Sequence, residues 1–237
     1  MRQMIFRPWL IPLLVISCTI ARANVPLSLF DGTTLNGWEG DTAFWSVQDG
    51  AITGESTIDR PCKQSTYLAY TPKEFSNFEL TLSFRLIADK SGNSGIQYRS
   101  RWADRDQHQI VGYQADMETG ANYSGILYEQ GGRGIIARRG QQLHIAPDGT
   151  KTVTPLPDAD KAQASIKRGD WNHYRIIADG DVLVHEINGF TTIRVEDQQS
   201  GKSAERGLIA LQLHQGPPMK VQFKDITVRE LPRGETN

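Results

Sequence analysis

Polar and apolar residues alternate over much of the chain. Phe78-Glu79-Leu80-Thr81-Leu82-Ser83-Phe84-Arg85 is the clearest case, with large apolar side chains on one side and polar ones on the other. A period of two is the signature of a strand with one buried face. Leu208 to His214 and Val221 to Val228 alternate similarly and predict the last two strands. Trp171 to Ala178 and Asp181 to Ile187 flank Asp179-Gly180 and predict a hairpin. Asp49-Gly50, Asp148-Gly149 and Asn188-Gly189 also punctuate apolar runs, where residues that tolerate positive φ permit tight turns. No segment holds a 3.6-residue apolar period for three turns, and only Asp158 to Lys167 predicts a short helix. Many short strands between turn signals predict an all-β fold, a two-sheet antiparallel β-sandwich of jelly-roll type.

The N-terminus breaks this pattern. Arg2 and Arg7 precede an apolar run from Trp9 to Ile20, and Ala21-Arg22-Ala23 follows as an A-x-A cleavage site. Residues 1–23 read as a secretory signal peptide, too short in its apolar core for a membrane span, and residues 24–237 as a single domain. The alternative is a lipobox, Val15-Ile16-Ser17-Cys18, with Cys18 lipidated. Either reading predicts an exported protein, periplasmic or extracellular, with no integral membrane span. Cleavage after Ala23 leaves Cys62 as the sole cysteine, so stability must come from a core rather than an internal disulfide. Lys and Arg number 26 against 27 Asp and Glu, for a net charge of −1. That balance excludes a nucleic-acid binder carried by bulk positive charge.

Alternation also sorts the candidate chemistry by face. It predicts Gln97, Arg99 and Arg101 together on one strand, Gln114 with Asp116 on another, and Gln212 with His214 on a third. Tyr128 falls opposite Glu129. Lysine, the ordinary surface filler, is missing from these strands. Arg and Gln offer planar, multidentate hydrogen bonding suited to sugar hydroxyls, and Trp38, Trp45, Trp102 or Tyr128 are candidates to stack on a sugar ring. Laminarinase-like jelly-roll glycosidases carry a strand of the form E-x-D-x-x-E. The corresponding run here, Gln114-Ala115-Asp116-Met117-Glu118-Thr119, lacks the first and last acids. Retaining hydrolysis by paired carboxylates loses its nucleophile there, leaving a binding module or an enzyme with other chemistry.

Several segments, in order, resemble the 3-keto-disaccharide hydrolase family: Leu29-Phe30-Asp31-Gly32 leading to Leu35-Asn36-Gly37-Trp38, then Trp45 to Gly54, and Gly92 to Arg99. Gly112 to Asp116, Tyr128-Glu129 with Arg133 after it, Gly169 to Asn172 and Leu211 to His214 continue the match. The resemblance implies a concanavalin-A-like sandwich. It also implies a specific reaction, in which a ketone at C3 of a sugar acidifies the C2 proton, a base removes it and the C1 substituent leaves. On that implication His214 is the first choice for base or acid, and Asp116 or Glu129 serves as acid, base or hydroxyl acceptor. Arg99, with Arg133 second, would stabilise the enolate. Gln114, Gln97, Tyr128, Arg133 and Gln212 would hold the sugar. No cofactor is predicted. A divalent metal assembled from His214, Asp116 and Glu129 stays open, while Asp158-Ala159-Asp160 offers too few ligands for calcium. The expected partners are an oligosaccharide or glycoside substrate and an upstream sugar C3-oxidoreductase. The alternative function is a non-catalytic carbohydrate-binding module.

Overall fold

The computed structural model describes residues 25–232. The expected signal peptide, Cys18 included, lies outside the described residues. Among the described residues seventeen strands, β1 to β17 in chain order, form two sheets. In spatial order the larger runs β12 (Lys151–Pro155), β11 (Gln141–Ile145), β15 (Phe190–Asp197), β14 (Val182–Ile187), β13 (Asn172–Asp179), β6 (Phe78–Ala88), β17 (Met219–Glu230), β4 (Ala51–Ser56), β3 (Trp45–Gln48), with β1 (Leu27–Ser28) also on β17. The smaller runs β10 (Gly134–Ala137), β9 (Leu127–Gln130), β8 (Gln109–Glu118), β7 (Asn93–Asp104), β16 (Gly207–Leu213), β5 (Thr66–Phe75), β2 (Trp38–Glu39). Neighbours are antiparallel except β11 and β15, which run parallel. This is the two-sheet sandwich that the alternation predicts. The polar stretch before β13 supplies edge strand β12 and the short helix α1 (Ala159–Ser165), inside the expected helical window.

The β6 alternation lands as expected. Phe78, Leu80, Leu82 and Phe84 are buried in the core between the sheets, and Glu79, Thr81, Ser83 and Arg85 point outward. The outward residues are tied across strands: Arg175 bridges Glu79 and Glu186, and Thr81 bonds Thr227 at 2.8 Å. Leu82→Ala is expected to cost about 2–5 kcal/mol of stability, read as a lowered denaturant midpoint, because the neighbouring sheet can only partly collapse into the space. The turns at Asp49-Gly50 (φ 52° and 71°) and Asn188-Gly189 (φ 51° and 85°) hold both central residues at positive φ. That is the requirement of a type I′ hairpin and explains the residues chosen there.

One strand departs from simple alternation. In β7, Tyr98 pairs with Tyr113, but the next paired residue, Arg101, meets Val111, so β7 carries one residue more than β8 over this stretch. Arg99 sits at the irregularity with φ 44°, in the left-handed region. A bulge of this kind reverses the faces beyond it. Gln97 therefore stays on the outer face of the smaller sheet, while Arg99 and Arg101, expected beside it, leave that face. Trp38 and Trp45, two of the stacking candidates, are buried in the core.

Candidate functional site

The outer face of the smaller sheet has a dry half and a polar half. Tyr67, Ala69, Ile110, Leu208 and Ala210 form a small apolar cluster with Trp102 packed against it. Beyond this cluster the same strands carry Gln97, Gln114, Asp116, Gln212 and His214. A hollow of about 250 Å³ opens there, lined by Asn93, Gln114, Asp116, Tyr128, Gln212 and His214, with Tyr123, Ile126, Gln130 and Ile135 completing its wall. Five of the sequence-predicted residues thus converge: Gln114, Asp116, Tyr128, Gln212 and His214.

The floor of this pocket is a chain of amides. Gln97 Nε2 donates to Gln114 Oε1 at 2.6 Å, and Ser100 Oγ donates to Gln97 Oε1 at 3.0 Å. With its carbonyl oxygen accepting from Gln97, Gln114 turns its Nε2 toward Asp116 Oδ1 and, at 3.5 Å, toward Gln212 Oε1. Gln212 Nε2 in turn donates to Tyr67 Oη at 3.0 Å. While Asp116 is ionised it can only accept, so Gln114 must turn its Nε2 to it, and that choice sets the orientation of Gln97 and Gln212 in turn. Gly95 makes this possible. A Cβ there would lie 2.5 Å from Gln114 Cγ, so only glycine leaves room for the Gln114 side chain to cross the strand.

Burial pushes the Asp116 carboxyl up to about 7; the Gln114 bond opposes this, Glu118 adds to it, and a bond from Asn93 opposes it. Asp116 can therefore hold or release a proton near neutrality. His214 Nδ1 lies 2.5 Å from the Gln215 carbonyl oxygen. A carbonyl only accepts, so Nδ1 carries the hydrogen and Nε2 of the neutral ring is left as an acceptor. Glu118, the next carboxylate along β8, is engaged by the backbone N–H groups of Asn122 and Tyr123, the latter at 2.7 Å. Gly95→Ala should displace Gln114, remove the bond that favours ionised Asp116 and raise its pKa further, seen as an upward shift of the Asp116 carboxyl titration by NMR.

Three expected site residues are placed elsewhere. Arg99 is buried and donates to the carbonyls of Ser76 at 2.9 Å, Gly180 at 2.8 Å and Ala204 at 3.1 Å, and to Asn77 Oδ1 at 3.3 Å. It ties β7 to loops of both sheets and does not line the Asp116 pocket, where the enolate-stabilising role expected of it would place it. Glu129 alternates away from Tyr128 and bonds Arg133 at 2.7 Å; Arg133 also meets Asp197 at 2.6 Å. Burial works against the Arg133 charge, but these carboxylates hold its guanidinium above its ordinary pKa. The metal set of His214, Asp116 and Glu129 is thereby split between two faces. Among the described residues no group of three or more His, Cys, Asp or Glu is placed to hold a metal ion. Cys62 is buried, and burial pushes its thiol up, away from the thiolate a nucleophile needs.

Sequence reasoning missed Asn93, which bonds Asp116, and Tyr67, which anchors Gln212. Asn93 shares the alternation of Gly95 and Gln97, and that register was the available signal. Tyr67 lies in a run, Tyr67-Leu68-Ala69-Tyr70, that is apolar on both faces and offers none.

The architecture has solved counterparts. A candidate glycosyl hydrolase from Parabacteroides distasonis superposes with TM-score 0.57 and 19% identity, over 87% of this chain and 94% of that one. The carbohydrate binding module CBM66 from Bacillus subtilis gives 0.54 and 16%, over 82% and 96%. A Bacillus subtilis protein of galectin-like fold gives 0.50 and 14%, over 83% and 90%. At these identities the likeness is one of fold. No curated protein matches the chain. The model of the 3-keto-alpha-glucoside-1,2-lyase-like domain matches residues 26–229, nearly everything the two sheets contain, and the protein belongs to that carbohydrate-related family of 3-keto-disaccharide hydrolases.

Proposed function

We propose that the protein cleaves 3-keto glycosides by elimination across C1 and C2. The observation that carries this reading is the buried Asp116, with its pKa near 7, in one pocket with a His214 whose Nε2 is free to accept. His214 Nε2 takes the C2 proton, and the electron pair passes to the C3 oxygen as an enolate. The enolate collapses to a C1=C2 double bond, the C1–O bond breaks, and protonated Asp116 delivers its proton to the departing oxygen. Water can add afterwards. Tyr128 lines the same pocket and supplies a hydroxyl donor for the enolate oxygen. Gln114 and Gln212, held by the amide chain, orient the sugar. The engagement of Glu118 by its own loop supports this chemistry over hydrolysis by two carboxylates. The ketone must come from an enzyme that oxidises C3, the expected upstream partner. Incubation with a panel of 3-keto glycosides and their unoxidised parents tests the reading: products should form only from the keto series.

A second reading, a sugar-binding module without turnover, draws on the fixed amides and on Tyr123 and Tyr128 at the wall. A pocket that binds sugars but never turns over a keto substrate would establish it. We also propose export. An intact mass beginning at Asn24 is expected, and a chain beginning at a lipid-modified Cys18 would make the protein a lipoprotein instead.

A further inference from the structure

Gln130 lines two hollows, the Asp116 pocket and a larger one of about 340 Å³ at the end of the sandwich. The second is lined by Arg99, Arg101, Arg133, Lys202 and Arg206, and among the described residues Glu129 is the one carboxylate in its wall. Two of these cations are neutralised, Arg133 by Glu129 and Asp197, and Arg206 by Glu74 at 2.9 Å. The other three are not. Arg99 is buried and bonds only neutral oxygens, although Asp181 and Glu205 act on it at longer range. Arg101 and Lys202 are exposed, and their side chains make no hydrogen bond or ion pair among the described residues. Three like charges around one hollow, partly walled by low-dielectric protein, focus a positive potential into it.

Gln130 is the residue the two hollows share, and two glycines follow it in the wall of the second. A Cβ on Gly131 would lie 2.4 Å from Val111 Cγ1, and one on Gly132 would lie 2.5 Å from Glu129 Oε2. Neither glycine puts a side chain into the basic hollow, while Arg133, the next residue of the loop, lines it. The position of the hollow is also set. Gln130 pairs with Gly112, four residues from Asp116 along β8, and lines both hollows, so the basic hollow begins where the Asp116 pocket ends.

We propose that this basic hollow is a subsite for an oxyanion carried by the saccharide, a uronic carboxylate or a sulfate ester, on a part of the sugar chain that extends past Gln130 from the bond being cleaved. The substrate is then an acidic saccharide. The inference rests on the reading of the Asp116 pocket as a sugar site, and it adds what that reading leaves open, the charge of the sugar. A guanidinium offers a planar fork to either group, and Lys202 a mobile point charge.

Calorimetry with three oligosaccharides of one length tests it: neutral, uronate-bearing and sulfate-bearing. Inorganic sulfate serves as the free ion. At low salt at least one acidic oligosaccharide should bind about tenfold or more tighter than the neutral one, and the preference should shrink in high salt. Whichever of the two binds tighter identifies the oxyanion. Arg101→Gln combined with Lys202→Gln should abolish the preference while leaving turnover of a neutral 3-keto glycoside unchanged. Lys151→Gln combined with Arg168→Gln, the same charge change at exposed positions outside the hollow, should keep the preference. Equal binding of neutral and acidic saccharides overturns the proposal. So does loss of preference in the Lys151 and Arg168 control, or binding of inorganic sulfate as tight as that of the acidic saccharide. Turnover of neutral keto substrates without a preference sinks this subsite alone. A preference without turnover on any keto substrate sinks the cleavage reading and leaves the subsite standing.

Discussion

Asp116→Asn should lower kcat on a 3-keto glycoside by about 10²–10⁴-fold, the usual contribution of a positioned general acid or base. The amide keeps the size of the carboxyl and can still accept from Gln114, so folding and sugar binding should survive. What it loses is the proton. In the wild type the acid must be protonated to release the leaving oxygen, and its pKa is near 7. The rate should therefore fall as pH rises through about 7, and that limb should vanish in the variant. Loss of the acid-side limb in the variant, with the alkaline limb kept, would reverse the assignment, making Asp116 the base. His214→Gln should cost a similar factor, because glutamine can hydrogen-bond but cannot cycle a proton.

The same Asp116→Asn variant should expose a stability slope that the wild type conceals. His185 is fully buried in the core, its Nε2 2.9 Å from Tyr98 Oη, and burial lowers its pKa from 6.5 to about 3. Between those values the unfolded chain binds a proton that the folded chain does not. Stability from this group is complete above pH 6.5 and is lost as pH falls toward 3. Asp116 acts oppositely. Its pKa rises from 3.8 to about 7, so in that window the folded chain binds the extra proton and stability declines as pH rises. From pH 4.5 to 6.5 the two slopes, each about 1.4 kcal/mol per pH unit, nearly cancel. Removing the Asp116 carboxyl should leave the His185 slope alone. The variant should be about 2 kcal/mol less stable at pH 4.5 than at 6.5, against little change in the wild type, by urea denaturation. A flat variant would mean that His185 takes up a proton inside the folded core.

Alternation placed β6 on the correct face because that strand is regular and half-buried. Gln212, His214, Gln114, Asp116 and Tyr128 were legible from the same period of two, although β16 and the middle of β8 are buried on both faces. Arg99 was not. The extra residue between Tyr98 and Arg101 leaves no mark in composition, since arginine is no usual occupant of the left-handed region. The residues that compete for Glu129 were also invisible, because Asp197 comes from a strand of the other sheet. At the edge, β12 is exposed at every position, and a strand without a buried face has no hydrophobic period to read. The parallel pairing of β11 with β15 rests on contacts about fifty residues apart.

The last strand of the chain occupies an inner position. β17 lies between β6 and β4, where Val228 meets Leu80 and Phe223 meets Ile52, and β16 lies between β7 and β5. Neither sheet can close until residues 207–230 have been delivered, so an emerging chain holds its earlier strands with gaps at their centres until then. Such a topology folds late and all at once, with slow, long-range closure as the decisive event. Deleting the C-terminal strand would therefore remove the fold, and with it the pocket, rather than trim an edge.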